Sequence, residues 1–295
     1  MKLVKLNKYI LADFALLFCA LVWGVSFVTM KILVNIYSSC WLLFMRFLAS
    51  SILIAIIFKA RVIRNFHNCF KGGIILGIAL FLAITSQTVA LNYIDAGRQA
   101  FITSTYVLFV PLLLWILKRI FPGVFTILAS ILCVIGMHFL TGGLNGNINT
   151  GDILTLLCAV FYACQILAAW RYASFQDPIT LSMISFFAVS ILALISSFIF
   201  EFPLRAVFDF SSALEFLFTV LFVTIGGFMV QVCAQKYAKP SHASIIMSLE
   251  SVFGLLAGII LLGETVTKQA ALGCVLIFIS VISSELQSVF SQKQE

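Results

Sequence analysis

Residues 224–264 read TIGGFMVQVCAQKYAKPSHASIIMSLESVFGLLAGIILLGE. Two apolar runs are separated by the polar knot 236–242, and a carboxylate, Glu250, stands near the middle of the second run. Residues 80–120, which lie 144 positions earlier, repeat the pattern: Gln87 answers Gln231, Ala90 answers Ala234 and Tyr93 answers Tyr237. Further on, Ile102, Ser104, Phe109 and Leu112 meet Ile246, Ser248, Phe253 and Leu256. One unbroken register across two segments and their connection marks a duplication of structure, not of composition alone.

Composition sets the solvent. Hydrophobic residues make up 62% of the 295, charged residues 10%, and mean hydropathy is +1.15. A water-soluble domain carries about 25% charged residues, so the bulk of this chain must face lipid. Backbone groups in hydrocarbon must be satisfied internally, which leaves helices or a closed barrel. The runs are about 20 residues long and apolar on every face, without the two-residue alternation of barrel strands. Helices follow. The net charge of +7 does not indicate nucleic acid, because the basic residues punctuate apolar runs and form no stripe on one face. The 8 cysteines are scattered with no CxxC pair or His/Cys cluster, so neither a disulfide framework nor a metal site is expected.

Ten spans are predicted: 11–33, 39–58, 72–93, 97–117, 123–141, 152–172, 178–200, 215–236, 242–262 and 268–287. Lys2, Lys5 and Lys8 precede a run too long for a signal peptide's apolar core, so the first run is expected to be a retained span. With the N-terminus inside, 13 Lys and Arg fall in inner segments and 4 at outer ends, which predicts cytoplasmic termini. The Gly/Asn-rich loop after span five divides the chain into a first five-helix repeat (1–141), a linking loop (142–151), a second repeat (152–288) and a tail (289–295). An odd number of spans per half inverts the second half relative to the first. Many secondary transporters are built so, with the solute site near the midplane between the halves.

The residues now in view resemble the drug/metabolite transporter superfamily, of the ten-span EamA-domain type. The likeness rests on LVWGVSFV at 21–28, on Phe44, Arg46 and Phe47, and on the paired stretches 90–113 and 234–264. Ser248-Leu249-Glu250, Leu262-Gly263-Glu264 and ALGCVLIFISVI at 271–282 complete it, so the resemblance covers nearly the whole chain. It departs at Ser251, where the family often has proline, and at Lys118-Arg119-Ile120, where the first half lacks the LGE of the second. The resemblance implies solute movement across the cytoplasmic membrane by alternating access. It also places spans one, three, four, six, eight and nine around a central cavity.

Glu250 is the sharpest candidate residue. It lies about 13 Å into its span at 1.5 Å per residue, where an ionised group costs about 2.5–3.5 kcal/mol on insertion scales. It must be protonated, paired or facing water. Arg46, at comparable depth in span two, is the available ion-pair partner, and Glu250 is the candidate for binding a cationic group or exchanging a proton. A structural tie between helices, or an arginine snorkelling outward, is the competing account. Gln99, Thr103 and Tyr106 share one face of span four, and Tyr106 holds the repeat position of Glu250. Gln87 and Gln231 are repeat partners, Tyr162 and Gln165 share a face of span six, and Trp23 lies midway along span one. All are expected to line the solute cavity, with interhelical hydrogen bonding as the plainer alternative. The GxxxG pairs Gly73/Gly77 and Gly254/Gly258 are expected to serve packing. Glu264 and Lys268 are read as capping the outer end of span nine, and His138, His67 and His242 as structural.

The sequence thus predicts an all-α integral membrane protein of two inverted five-helix repeats. Its expected work is secondary-active movement of a small organic metabolite, an amino acid or related compound in the export direction, with proton coupling at Glu250. Uptake, drug export and passive channel flow are the alternatives within transport. No GxxxxGK[ST] loop is present, so direct ATP drive is not expected. A membrane-embedded enzyme would need clustered His, Asp or Glu, and these are dispersed. The expected partners are a solute and the lipid bilayer, with no nucleic acid, cofactor or metal; the expected state is a monomer in a bacterial cytoplasmic (inner) membrane.

Overall fold

The computed structural model describes residues 2–119, 121, 123–140, 148–202, 205, 210–262 and 267–292. Among them every regular element is helical: α1 Lys2–Ile36, α2 Ser39–Ile57, α3 Lys59–Ala90, α4 Ala96–Ser104, α5 Tyr106–Lys118, α6 Val124–Leu140 and α7 Thr150–Ala173. Then follow α8 Pro178–Phe200, α9 Phe210–Phe218, a π-helical stretch Thr219–Met229, α10 Val230–Gln235, α11 Pro240–Met247, α12 Glu250–Leu262 and α13 Lys268–Gln292. Seven helical rods are long and apolar enough to cross a bilayer, the fourth being α4 with α5, while 124–139 and 271–283 are shorter apolar helices. This is a helical membrane protein. The linker residues 142–147 and Glu264 lie outside the described residues.

A helix stands at each of the ten predicted places, but three differ in kind from the uniform spans the sequence suggested. The fourth rod breaks at Thr105, and the ninth breaks at Ser248-Leu249. Both breaks tighten into three-residue hydrogen bonds, Thr105 N to Ile102 O at 3.2 Å and Leu249 N to Ile246 O at 3.1 Å. The eighth rod widens into the 11-residue π stretch. That wide turn holds together because its carbonyls find side-chain donors: Trp23 Nε1 donates to Val223 O (3.3 Å) and Cys19 Sγ to Gly227 O (3.3 Å). Gly227 is required here, since a Cβ would run into the Trp23 indole. Helix α3 also begins well before the predicted span, at Lys59, its basic first turns continuing the rod past the apolar run.

Helix starts are fixed locally. Asn149 and Asp152 form a reciprocal capping box on α7. Pro178 occupies the first turn of α8, while the Asp177 carboxylate accepts from Thr180 N at 3.0 Å and pairs with Arg61 at 2.6 Å. Burial pushes the Asp177 carboxyl up, but Arg61 and Thr180 together outweigh it and hold the group below its ordinary value. The free amides of α2 are met from a distance: Glu201, just past α8, accepts from Cys40 N at 2.9 Å and Trp41 N at 3.3 Å.

Packing repeats across the halves. Helix α3 packs on α7 and α8, while α1 packs on the π stretch and α12; α4 and α5 lie on α7, and α6 pairs with α13. Exchanging the first five rods for the second five maps α3–α7 onto the α1–π stretch contact and α1–α12 onto α4/α5–α7, and leaves α6–α13 in place. Glycines permit the closest approaches. Cβ atoms added at Gly73 and Gly77 would meet Ile184 Cβ at 2.6 Å and Ala188 Cβ at 2.7 Å on α8, and Gly24 faces Gly254 between α1 and α12.

Candidate functional site

The rods containing α1, α3, α4–α5, α7, the π stretch and α11–α12 surround a narrow, largely side-chain-filled central cavity. All ten residues singled out from sequence line it: Trp23, Arg46, Gln87, Gln99, Thr103, Tyr106, Tyr162, Gln165, Gln231 and Glu250. Arg46 enters from α2, a span that the resemblance does not place around the cavity.

One wall is a chain of amides and hydroxyls. Tyr162 donates to Gln87 Oε1 at 2.9 Å, the Gln87 amide lies 3.5 Å from Thr103 Oγ1, and Gln99 Nε2 donates to the Gln87 carbonyl at 2.5 Å. Gln165 and Gln231 exchange hydrogen bonds, 3.1 Å in one direction and 3.4 Å in the other. Gln87 and Gln231, paired by the repeat, are thus each tied to α7, through Tyr162 and Gln165 respectively. Aromatic rings extend the lining from Tyr162. Trp23 lies 5.0 Å from Phe228, Phe228 stacks on Tyr162 at 6.3 Å, and Tyr106 meets Tyr162 edge-on at 6.4 Å.

Glu250 and Arg46 are both buried, at 4% and 1% exposure. Helix α12 begins at Glu250, whose Oε1 accepts from Ser104 Oγ at 3.0 Å; Ser104 in turn meets Ser251 Oγ at 2.9 Å. Ser104 sits at the end of α4, so the two broken rods touch at their breaks. Arg46 Nε donates to Thr224 Oγ1 at 2.6 Å, its guanidinium lies 5.2 Å from the Phe47 ring, and Nη1 reaches Met30 Sδ at 3.5 Å. The ion pair expected between Arg46 and Glu250 is not formed. Arg61 pairs instead with Asp177 and Arg98 with Asp152, and His242 Nε2 meets Asp13. The reason is that the Thr224 hydroxyl and the Phe47 face hold the guanidinium on the α2 side, while Ser104 holds the carboxylate at the two breaks.

Two buried polar atoms on residues lining this space lack a hydrogen-bond partner: Arg46 Nη2 and Gln99 Oε1. Sequence reasoning missed Phe228, which lies between Trp23 and Tyr162, and Thr224, which holds Arg46. One phenylalanine among 30 carries no signal of its own, and Thr224 matters only because the π turn aims it at Arg46. Met30, Thr88 and Leu91 line the end of the cavity beside the α3–α4 link.

Comparison with known proteins agrees in family and in fold. The EamA-like transporter family model matches twice, over residues 10–142 and 149–284. An uncharacterized transporter of Archaeoglobus fulgidus is 33% identical over 280 residues, covering 95% of this chain and 87% of that protein. The uncharacterized transporter YoaV of Bacillus subtilis is 25% identical over 268 residues, covering 87% and 90%. A crystal structure superposes with a TM-score of 0.77 at 16% identity, covering 94% of this chain and 96% of that one, which speaks to the fold alone. With two family domains spanning most of its length and a relative a third identical to it, the chain belongs to the EamA-like transporter family and is a multi-pass membrane transporter of the drug/metabolite type.

Proposed function

We propose that the protein is a secondary-active carrier that exports a small zwitterionic metabolite, an amino acid or close relative, by alternating access. In this reading ten spans cross the cytoplasmic membrane of a bacterial cell as two inverted five-helix repeats, with both termini inside and residues 142–151 joining the halves. The carrying observation is that Arg46 and Glu250 line one buried cavity without pairing with each other. A buried charge left without a counter-charge is costly. A solute bearing a carboxylate and an ammonium group offers Arg46 Nη2 an acceptor and Glu250 a donor at once. Gln99 Oε1 adds a further acceptor, and the Trp23–Phe228–Tyr162 wall takes the apolar side chain. Glu250 is also the group able to release a proton when the solute's cation arrives, which would couple export to the proton gradient.

The test is counterflow in proteoliposomes against a panel of amino acids, their decarboxylated amines and their deaminated acids. Saturable exchange of a zwitterion, weakened at least tenfold by both Glu250→Gln and Arg46→Gln, is the expected result. Preference for the amines or acids alone would overturn the two-charge site. Flux without counterflow would indicate a channel instead of a carrier.

A further inference from the structure

We propose that Arg98–Asp152 and His242–Asp13 are two repeat-related latches, one at each mouth of the central cavity, and that breaking either shifts the carrier toward opening at that mouth. The inference rests on the carrier reading above and adds the devices that hold its two ends.

The sequence relates the two pairs. Helices α1 and α7 repeat at a spacing of 139 residues: Asp13 answers Asp152, Leu17 answers Leu156, Cys19 answers Cys158, and Trp23 answers Tyr162. Helices α4 and α11 repeat at the spacing of 144 noted above, so Arg98 answers His242. Both members of one contact thus map onto both members of the other. The structure forms both: Arg98 grips Asp152 with two bonds of 2.6 and 2.7 Å, and His242 Nε2 lies 3.0 Å from Asp13 Oδ1. In each case a cavity-lining long helix (α7 or α1) is tied to a cavity-lining short helix (α4 or α11).

The pairs stand at opposite ends. Lys31 Nζ donates to the carbonyls of Leu91 and Ile94, which fixes the end of α1 beside the α3–α4 link and hence beside Arg98. Asp13 lies 18 residues back along the same helix, about 27 Å away at 1.5 Å per residue. Each latch joins an element of one half to an element of the other, and a carrier that rocks one half against the other must break them in turn. A partly shielded pair is worth enough to bias such an equilibrium without locking it.

The test reads which mouth is open, without needing a solute. Ser26, which lines the cavity, is replaced by cysteine, and labelling by a membrane-impermeant maleimide is measured from each face, in intact cells and in inside-out vesicles. Labelling of the parent chain's own cysteines is subtracted. Asp13→Asn is expected to raise labelling several-fold from the Asp13 face relative to the other. Arg98→Gln is expected to shift the ratio the opposite way; Arg98 is chosen because Asp152 also caps α7. His242→Arg, which gives this mouth the same pair as the other, is expected to lower labelling from its own face, a gain of closure that misfolding cannot mimic. A ratio unmoved by all three, or moved the same way by Asp13→Asn and Arg98→Gln, overturns the latches even when counterflow shows a working carrier.

Discussion

The approach of α1 to α12 at Gly24 permits a sharp test, because one methyl group is enough. A Cβ at residue 24 would lie 2.6 Å from Glu250 O and 2.7 Å from Gly254 N, both backbone atoms that cannot rotate aside. Ordinary contact begins near 3.4 Å, so Gly24→Ala must push the two helices about 0.8 Å apart or bend one of them. Overpacking of this kind costs about 1–3 kcal/mol. A shift of that size along the Ser104–Glu250 direction would stretch their 3.0 Å hydrogen bond out of range. The repeat-related position is Ala163, fully buried with its methyl already accommodated, so Ala163→Gly serves as the mirror control and should leave solute exchange nearly unchanged. Thermal unfolding in detergent, followed with counterflow, reads both consequences. Gly24→Ala should lower the unfolding midpoint and weaken exchange about tenfold or more, in line with the price of misplacing a binding group by about 1 Å. An unchanged midpoint together with wild-type exchange would refute the close approach and the dependence of the site on it.

Three further outcomes are expected. Glu201→Ala leaves two amides at the start of α2 without an acceptor and should lower stability by about 1 kcal/mol, measured by unfolding in detergent; Glu201→Gln, which keeps an acceptor, should lose less. The Asp177 carboxyl is held below its ordinary value of about 3.9, so its contribution is complete above that pH and is lost as pH falls through the lower folded value. Asp177→Asn keeps the cap and removes the titration, so the difference in unfolding midpoint between wild type and variant should shrink below about pH 4. Finally, a double-mutant cycle of Gln165→Ala and Gln231→Ala should return a coupling of about 0.6 kcal/mol, typical of interhelical hydrogen bonds in membranes. A coupling near zero would mean that the paired amides are held by other contacts.

The helical membrane fold was legible because it needs only apolar runs of sufficient length, and the 144-residue register added which segments correspond. Membership of the cavity was legible for the same reason. Polar side chains within apolar runs have few places to go, and Gln87, Gln99, Gln165 and Gln231 all turn inward. What a one-dimensional pattern could not carry was connection. Depth alone suggested that Arg46 would meet Glu250, but the π stretch re-aims Thr224 toward the guanidinium and leaves the carboxylate to Ser104. The π turn itself has no sequence signature distinct from an ordinary apolar helix with two glycines. The breaks at Thr105 and Ser248-Leu249 likewise arise where helices contact one another, not from any proline or glycine in the chain at those points.

Those two breaks give the molecule a mechanical property. A continuous helix behaves as a stiff strut, but a rod interrupted near its middle is two struts with a soft joint. Arg98 stands seven residues from the joint at Thr105, a lever of about 10 Å at 1.5 Å per residue. A swing of about 20°, the size of an ordinary helix kink, carries that end roughly 3.5 Å and parts a bidentate ion pair, while Tyr106 beside the joint barely moves. The short arms can therefore travel at the ends of the molecule while the residues at the pivot keep their places.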